Sequence, residues 1–218
     1  MEIGLFALLP TAQRLALSYA PARSRAPTLS LLALDARLDG LVRQAREPLL
    51  AQIRLAWWRD RLSENPENWP GGEPLLAALA ESWKSPHALV GLVDGWEAML
   101  GEVAPEAVGQ LANARADAWV ALHRELGCRE DMNATALAGN RWATADACAH
   151  LPDPADRKAA RSLVDEALRN AKISLPRLLR PLAVLDTLAR RSLRREDGGL
   201  LGGPADLSAA IRVGLLGR

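Results

Sequence analysis

The chain has 218 residues, 49% of them hydrophobic, which is enough to bury a substantial core and argues against general disorder. Its 27 Lys and Arg balance 26 Asp and Glu, and this formal charge of +1 argues against nucleic acid as a partner, because no overall positive field exists to recruit it. Ala, Leu and Arg dominate while Tyr and Phe occur once each, so the composition predicts an all-α fold.

Prolines and glycines separate stretches whose apolar residues recur at helical spacing. The predicted helices cover residues 11–19, 27–46, 48–63, 75–83, 87–100, 105–126, 132–150, 155–171, 175–195 and 205–216. The loop at 64–74 carries the densest turn signal, yet the helices before it have wide apolar faces that later helices must cover. We therefore predict one domain over residues 1–218, built as a single helical bundle.

Two acids lie four residues apart in the second predicted helix, Asp35 and Asp39, so their carboxylates project from one face. One interpretation is that they share a divalent cation. The other pairs Asp39 with Arg43 at the next helical spacing, as a solvated ion pair. Spacing alone favours the ion pair.

Arginines and tryptophans before the second predicted helix and within the third are further candidates for binding. Arg23 and Arg25 lie in a proline-bounded segment that is predicted to be a turn, where they either clamp an anion or are only solvated. In the helix over 48–63, Arg54 and Trp58 share a side, and the adjacent Trp57 faces elsewhere. One tryptophan is expected to anchor the core, and the other to pack against an arginine or line a cavity.

No complete catalytic site and no standard zinc site is written in the sequence. Cys148 and His150 are two residues apart, a separation that suits no helical zinc pair, and no second pair completes a tetrahedron. Two cysteines cannot build a disulfide framework, the apolar start has no basic leader, and no stretch reaches the length of a membrane span. We therefore expect no cofactor and a cytoplasmic protein, with peripheral contact to a membrane left open.

The segment at 175–195 alternates leucines with arginines. A basic amphipathic helix of this kind either lies on anionic lipid or binds a partner protein, or it is a core helix flanked by arginines. Composition favours the core helix. Its arginines are Arg177, Arg180, Arg190, Arg191, Arg194 and Arg195.

Three stretches together resemble the squalene/phytoene synthase family: Tyr19 to Arg25 with the helix after it, Arg46 to Asp60, and Leu175 to Leu182. The middle stretch is similar to a divergent branch that includes a mitochondrial complex I assembly factor and bacterial phytoene-synthase-like proteins. The resemblance implies the isoprenoid synthase fold and a head-to-head condensation of prenyl diphosphates that uses Mg²⁺.

The acidic motifs that the resemblance implies are incomplete. Where the family has Asp-Asp-x-x-Asp, this chain has Asp39 followed by Gly40 and, in the third acidic place, Arg43. Near the second motif Gly139 and Trp142 fit, but His150 stands where an Asp is expected and Asp146 is an isolated acid. Ionising an allylic diphosphate requires several Mg²⁺ ions held by carboxylates on facing helices, so this loss predicts weak metal binding.

The leading hypothesis is therefore a pseudoenzyme, a non-catalytic homologue that binds an isoprenoid or lipid-like molecule or acts as an assembly protein. The residues expected to line its cavity are Tyr19, Arg23, Asp39, Arg43, Arg54 and Trp58. Two alternatives stay open. One is an active prenyl diphosphate transferase with Asp35 and Asp39 as its catalytic magnesium site and with Arg43 and Arg54 on phosphate. The other is a peripheral membrane adaptor that works through the helix from Arg177 to Arg195.

Overall fold

The computed structural model describes residues 2–101, 103–195 and 199–217, with the backbone alone at positions 2 and 3. Within these ranges the chain forms twelve α-helices and no strand, so the predicted all-α fold class is confirmed. The helices are α1 (Glu2–Leu8), α2 (Thr11–Leu17), α3 (Ala22–Arg43), α4 (Pro48–Ser63), α5 (Pro74–Ser82), α6 (Val90–Glu97), α7 (Pro105–Glu125), α8 (Met132–His150), α9 (Pro154–Ser162), α10 (Glu166–Asn170), α11 (Arg180–Arg194) and α12 (Pro204–Leu216). Short 3-10 turns lie at Pro66–Asn68, Pro86–Leu89 and Arg177–Leu179.

The predicted turn around Arg23 and Arg25 is wrong, because α3 already begins at Ala22 and includes both arginines. Tertiary hydrogen bonds hold this first part of the helix. Arg23 donates to the carbonyl oxygen of Leu126 at 3.1 Å, and Arg25 donates to that of Leu17 at 3.1 Å. The two prolines that suggested a turn are accommodated, since Pro21 is the N-cap and Pro27 gives up one backbone hydrogen bond inside the helix.

The predicted helix over 155–171 is divided into α9 and α10. Asp165 causes the division, because its side chain accepts a hydrogen bond from the backbone N–H of Ala167 and so caps a new helix. Leu163, in the break between the two helices, and Leu168 of α10 are 46% and 45% exposed. By contrast, α4 and α8 begin and end at the predicted residues.

The centre of the bundle is the pair α7 and α8, which pack closely along their lengths. The rings of Trp119 and Trp142 meet edge to face at 6.1 Å between centroids. A methyl group added at Gly139 would lie 2.9 Å from the Cα of Ala116, so glycine permits this close approach. Around the pair, α6 packs on α7, and α11 packs on α8 and α2.

Buried side chains from Leu5 to Val213 form one continuous hydrophobic cluster that includes residues before and after the 64–74 loop. Helices from both sides of that loop pack together, as α3 does with α5 and α4 with α6. No helix in the described part of the chain is long and apolar enough to cross a bilayer. The three-dimensional arrangement thus brings distant acids and arginines into one interior, where the candidate site lies.

The basic segment near the C-terminus is a core helix with arginines on its outer side. Leu182, Leu185 and Leu188 of α11 are all buried. Arg191 and Arg195 hold the buried carboxylate of Asp206 at 2.5 and 2.6 Å. The apolar face of this helix is therefore packed in the core.

Candidate functional site

A buried ion cluster joins the two acids that the sequence had marked on separate helices. Asp35 of α3 is 2% exposed, and both of its carboxylate oxygens accept hydrogen bonds. Arg115 of α7 donates from Nε and Nη2 at 2.8 Å each, and Trp96 of α6 donates from its indole N–H at 2.9 Å. This forked geometry is the strongest way for arginine to bind a carboxylate.

Asp146 of α8 completes the cluster from the opposite side. Its Oδ2 accepts from Nη1 of Arg115 at 2.8 Å. The guanidinium of Arg115 lies 4.8 Å from the ring centroid of Trp96 and 4.8 Å from that of Trp142, so two aromatic faces cover it. We call Asp35, Arg115, Asp146, Trp96 and Trp142 the arginine cluster.

Burial sets the proton affinities of this cluster. It raises the pKa of Asp35 above its usual value, and the charge and hydrogen bonds of Arg115 oppose that rise only in part. Burial also acts to lower the pKa of Arg115, but the charges of Asp35 and Asp146 outweigh this and raise it. Arg115 is therefore a permanent cation at the point where the two acids meet.

The cluster does not fit a magnesium ion. Mg²⁺ needs oxygen ligands in octahedral geometry, whereas guanidinium N–H groups use both oxygens of Asp35 and one of Asp146. A cation placed here would also face the positive charge of Arg115 across a dry interior, where repulsion is strong. Across residues 2–101, 103–195 and 199–217, no group of three or more His, Cys, Asp or Glu side chains could hold a metal ion.

Asp39 does not join Asp35 at a shared site. It forms an ion pair with Arg43 on the same helix, as the second interpretation of this spacing anticipated. Arg43 also lies over the ring of Trp96, at 6.0 Å from its centroid. His150, at the end of α8, donates from Nδ1 to the backbone oxygen of Asp146 at 2.7 Å. Arg43, Trp96 and His150 line one cleft of about 660 Å³ beside the arginine cluster.

A second cleft lies between the end of α3 and the start of α4, and we call it the α3–α4 cleft. It has a volume of about 650 Å³. Its cationic lining is Arg37, Arg46 and Arg54, and its apolar lining includes Leu8, Leu41 and Leu50. Arg37 lies 3.7 Å from Glu73, while Arg54 points from the exposed side of α4.

The two adjacent tryptophans of α4 separate as expected. Trp58 is buried in the core and Trp57 is 38% exposed, with their rings edge to face at 5.1 Å. Both line a recess of about 270 Å³ that also contains Arg54 and Leu41. Of the predicted cavity residues, the structure thus brings Arg54 and Trp58 together.

Tyr19 and Arg23 lie elsewhere. The ring of Tyr19 packs against α12 so closely that a methyl group at Gly214 would come within 2.4 Å of it. Arg23 binds the end of α7 through the carbonyl of Leu126. Neither residue lines the clefts that contain Arg43 or Arg54.

Arg115 was missed from the sequence, although a signal existed. It lies on the apolar stripe of α7, four residues after Leu111 and seven before Leu122, and a charge at such a position must find a buried partner.

Arg141 forms a second buried ion pair, on α8. It is fully buried and binds both carboxylate oxygens of Asp186 at 2.7 Å. Burial is the main reason why the pKa of Asp186 is raised to about 6, with Arg141 opposing the shift.

Comparison with known proteins gives one family. The family model for squalene/phytoene synthase matches residues 13–99, the stretch that contains α3 and α4 with Asp35, Asp39 and Arg54. No curated protein and no solved structure matches the chain.

Proposed function

Residues 13–99 carry a squalene/phytoene synthase domain segment, and on this premise we propose that the chain is a non-catalytic homologue that binds an isoprenoid or lipid-like molecule without magnesium. It works as a carrier of that ligand, or its surface serves as an assembly or scaffolding factor. We place it in the reducing cytosol, in keeping with its free cysteines, Cys128 and Cys148.

The arginine cluster is the observation that carries this proposal. Diphosphate ionisation needs metal-bound carboxylates because the leaving group concentrates negative charge. Here one guanidinium binds acids from α3 and α8 and neutralises part of their charge. A cluster organised in this way is held together without a metal, and its carboxylates are not free to bind magnesium.

The α3–α4 cleft supports the ligand side of the proposal. Guanidinium groups contact phosphate directly, through charge-assisted hydrogen bonds that need no metal. Arg46 and Arg54 supply such groups beside the apolar side chains of Leu41 and Leu50, which suits an anionic head with a hydrocarbon tail. Trp57 and Trp58 extend the apolar wall next to Arg54.

Calorimetric titration of farnesyl diphosphate, with and without about 5 mM Mg²⁺, tests the proposal. We expect metal to change the dissociation constant by less than about twofold and no pyrophosphate to be released. The variant Arg54→Gln should weaken binding about tenfold, because one charge-assisted hydrogen bond is lost. The matched control Arg124→Gln removes the same charge from an exposed site on α7 and should leave binding unchanged.

The transferase alternative predicts the opposite result. Tight binding that requires Mg²⁺, together with steady release of pyrophosphate, would reject the non-catalytic assignment. It would also require Asp35 to leave Arg115, a rearrangement that a crystal structure with metal and diphosphate would reveal.

A further inference from the structure

A separate cavity, of about 700 Å³, lies between α11, α12 and the segment that precedes the 3-10 turn at Arg177–Leu179. We call it the α11–α12 pocket. It shares no lining residue with the α3–α4 cleft or with the cleft that contains His150. Its lining combines cations with apolar side chains such as Ile173, Leu175 and Leu216.

The charge of this pocket is one-sided. Four cations line it: Lys172, Arg180, Arg190 and Arg212. Asp186 is the acid that lines it in the described part of the chain, and Arg141 already binds both of its oxygens. Among the described residues that line the pocket, the four cations therefore outnumber the one acid, which Arg141 already binds.

Arg180 and Arg190 are each held in the pocket by a hydrogen bond to a backbone carbonyl. Arg180 uses one N–H on the carbonyl of Val213, and Arg190 uses one on that of Asn170, both at 3.2 Å. The Nε of Arg190 is buried without a hydrogen-bond partner in the described ranges. Burial is also the main reason why the pKa of Arg190 is lowered. The charge of Asp186 opposes this shift, and the nearby cations Arg141 and Arg194 add to it. An anion would relieve both conditions.

An apolar ridge runs along α12, the helix that also supplies Arg212 and Leu216 to the lining of the pocket. Leu207, Ile211 and Leu215 recur every four residues, so they lie along one side of the helix, and they are 46%, 39% and 69% exposed. The opposite side, with Ala209, Ala210 and Val213, is buried against the bundle. Arg212 lies between Leu215 and Leu216 on the helix surface, which joins the ridge to the mouth of the pocket.

We propose that α12 and the α11–α12 pocket form a docking site for an anionic phospholipid membrane. The ridge lies in the boundary between headgroups and acyl chains, and the pocket receives one headgroup phosphate. Exposed leucines beside a cationic cavity match the two components of such a surface, apolar below the headgroups and negative at them. The site differs from the one predicted on the helix from Arg177 to Arg195, since the leucines of α11 are buried.

Co-sedimentation with vesicles tests this site on the full chain. The two lipid samples are pure phosphatidylcholine and phosphatidylcholine with about one fifth phosphatidic acid, at low and high salt. We expect binding to the anionic vesicles alone, and release at high salt. Lys172→Gln with Arg212→Gln should weaken it by about tenfold or more, and Ile211→Ser with Leu215→Ser by at least about fivefold. All four side chains are exposed, so both double variants should fold.

The charge-matched control is Arg124→Gln with Lys158→Gln, which removes two exposed cations that do not line this pocket. Loss of binding in this control equal to that in Lys172→Gln with Arg212→Gln would overturn the pocket's role. Equal binding to both kinds of vesicle, or none, would overturn the site altogether. A dimer in sedimentation velocity that the Ile211→Ser and Leu215→Ser substitutions abolish would assign the ridge to a second copy of the chain instead.

Discussion

Arg115 joins acids from two different helices in the interior of this protein. It lies between two carboxylates and two indole rings, and its own side chain is 2% exposed. Removing one partner of such a cluster leaves charges that neither water nor protein can solvate. The cluster is therefore expensive to disrupt, even though an ion pair in a dry interior adds little net stability compared with apolar residues of the same size.

We predict that Arg115→Met lowers the free energy of unfolding by about 3–5 kcal/mol, because Asp35 and Asp146 lose their shared cation. Urea denaturation followed by circular dichroism measures the change. Arg124→Met, on an exposed side of the same helix, should cost no more than about 1 kcal/mol. A loss below about 1 kcal/mol for Arg115→Met would mean that the two acids find other partners.

The second buried pair gives a prediction for pH. Burial raises the pKa of Asp186 to about 6, from a usual value of 3.8 in the unfolded chain. The folded protein therefore binds more protons than the unfolded chain between these two values, and this group's contribution to stability falls as pH rises from about 4 to 6. Carbon-detected NMR of the Asp186 carboxyl should show a titration near pH 6, and Asp186→Asn identifies the signal by removing it. A midpoint at or below 4 would show that Arg141 outweighs burial.

At the scale of elements, the distance between helices is set by a few glycines. Gly95 of α6 faces α7, and an added methyl group would lie 2.5 Å from the Cβ of Ala114 and 3.3 Å from the Cα of Leu111. Neither atom can move without moving the backbone. The exposed Gly91, on the same helix, has no atom near its added methyl group.

These two glycines make a matched pair of variants. Gly95→Ala should destabilise the protein by about 1–3 kcal/mol, because overpacking exceeds the gain in helix propensity. Gly91→Ala should stabilise it by up to about 1 kcal/mol, since alanine favours the helix and meets no obstacle. Thermal unfolding of both variants measures the difference, and equal effects would contradict the close approach of α6 and α7.

At the scale of the whole molecule, the described residues offer no group of acids, histidines or cysteines that could hold a metal, and this has a consequence for stability. A ligand that binds the folded state alone raises its stability in proportion to the logarithm of ligand concentration. Because Arg115 occupies the meeting point of the acids, millimolar Mg²⁺ or EDTA should shift the melting temperature of the wild type by less than about 1 °C. Differential scanning fluorimetry measures this shift.

The variant Arg115→Met serves as the comparison. Without the guanidinium, Asp35 and Asp146 repel each other, and Mg²⁺ should raise the melting temperature of this variant by several degrees, roughly 2–5 °C. A wild type that responds to Mg²⁺ as strongly as the variant would indicate a metal site that does not involve the cluster.

Sequence patterns were sufficient for the helices whose signals are local. Pro48 and Asp131 each start a helix at the expected point, because such start signals act within the first turn of a helix. The composition, poor in β-branched and aromatic residues, predicted the all-α class. The pairing of Asp39 with Arg43 is of the same kind, four residues apart on one helix. The likeness to squalene and phytoene synthases was also readable, in the stretch that the family model matches.

The arginine cluster depended on tertiary packing, since Asp35, Arg115 and Asp146 are 80 and 31 residues apart along the chain. No spacing rule reaches across such separations, and the partner of a buried charge is decided by which helix faces its own. The start of α3 is a similar case, because the hydrogen bond from Arg23 to the carbonyl of Leu126, 103 residues away, supports a helix where the local signal predicted a turn. The order of residues thus determines the helices and the ion pairs within one helix, because these involve neighbours along the chain. The packing of α3, α7 and α8 determines that the guanidinium of Arg115 lies between Asp35 and Asp146, because these residues come from three different helices.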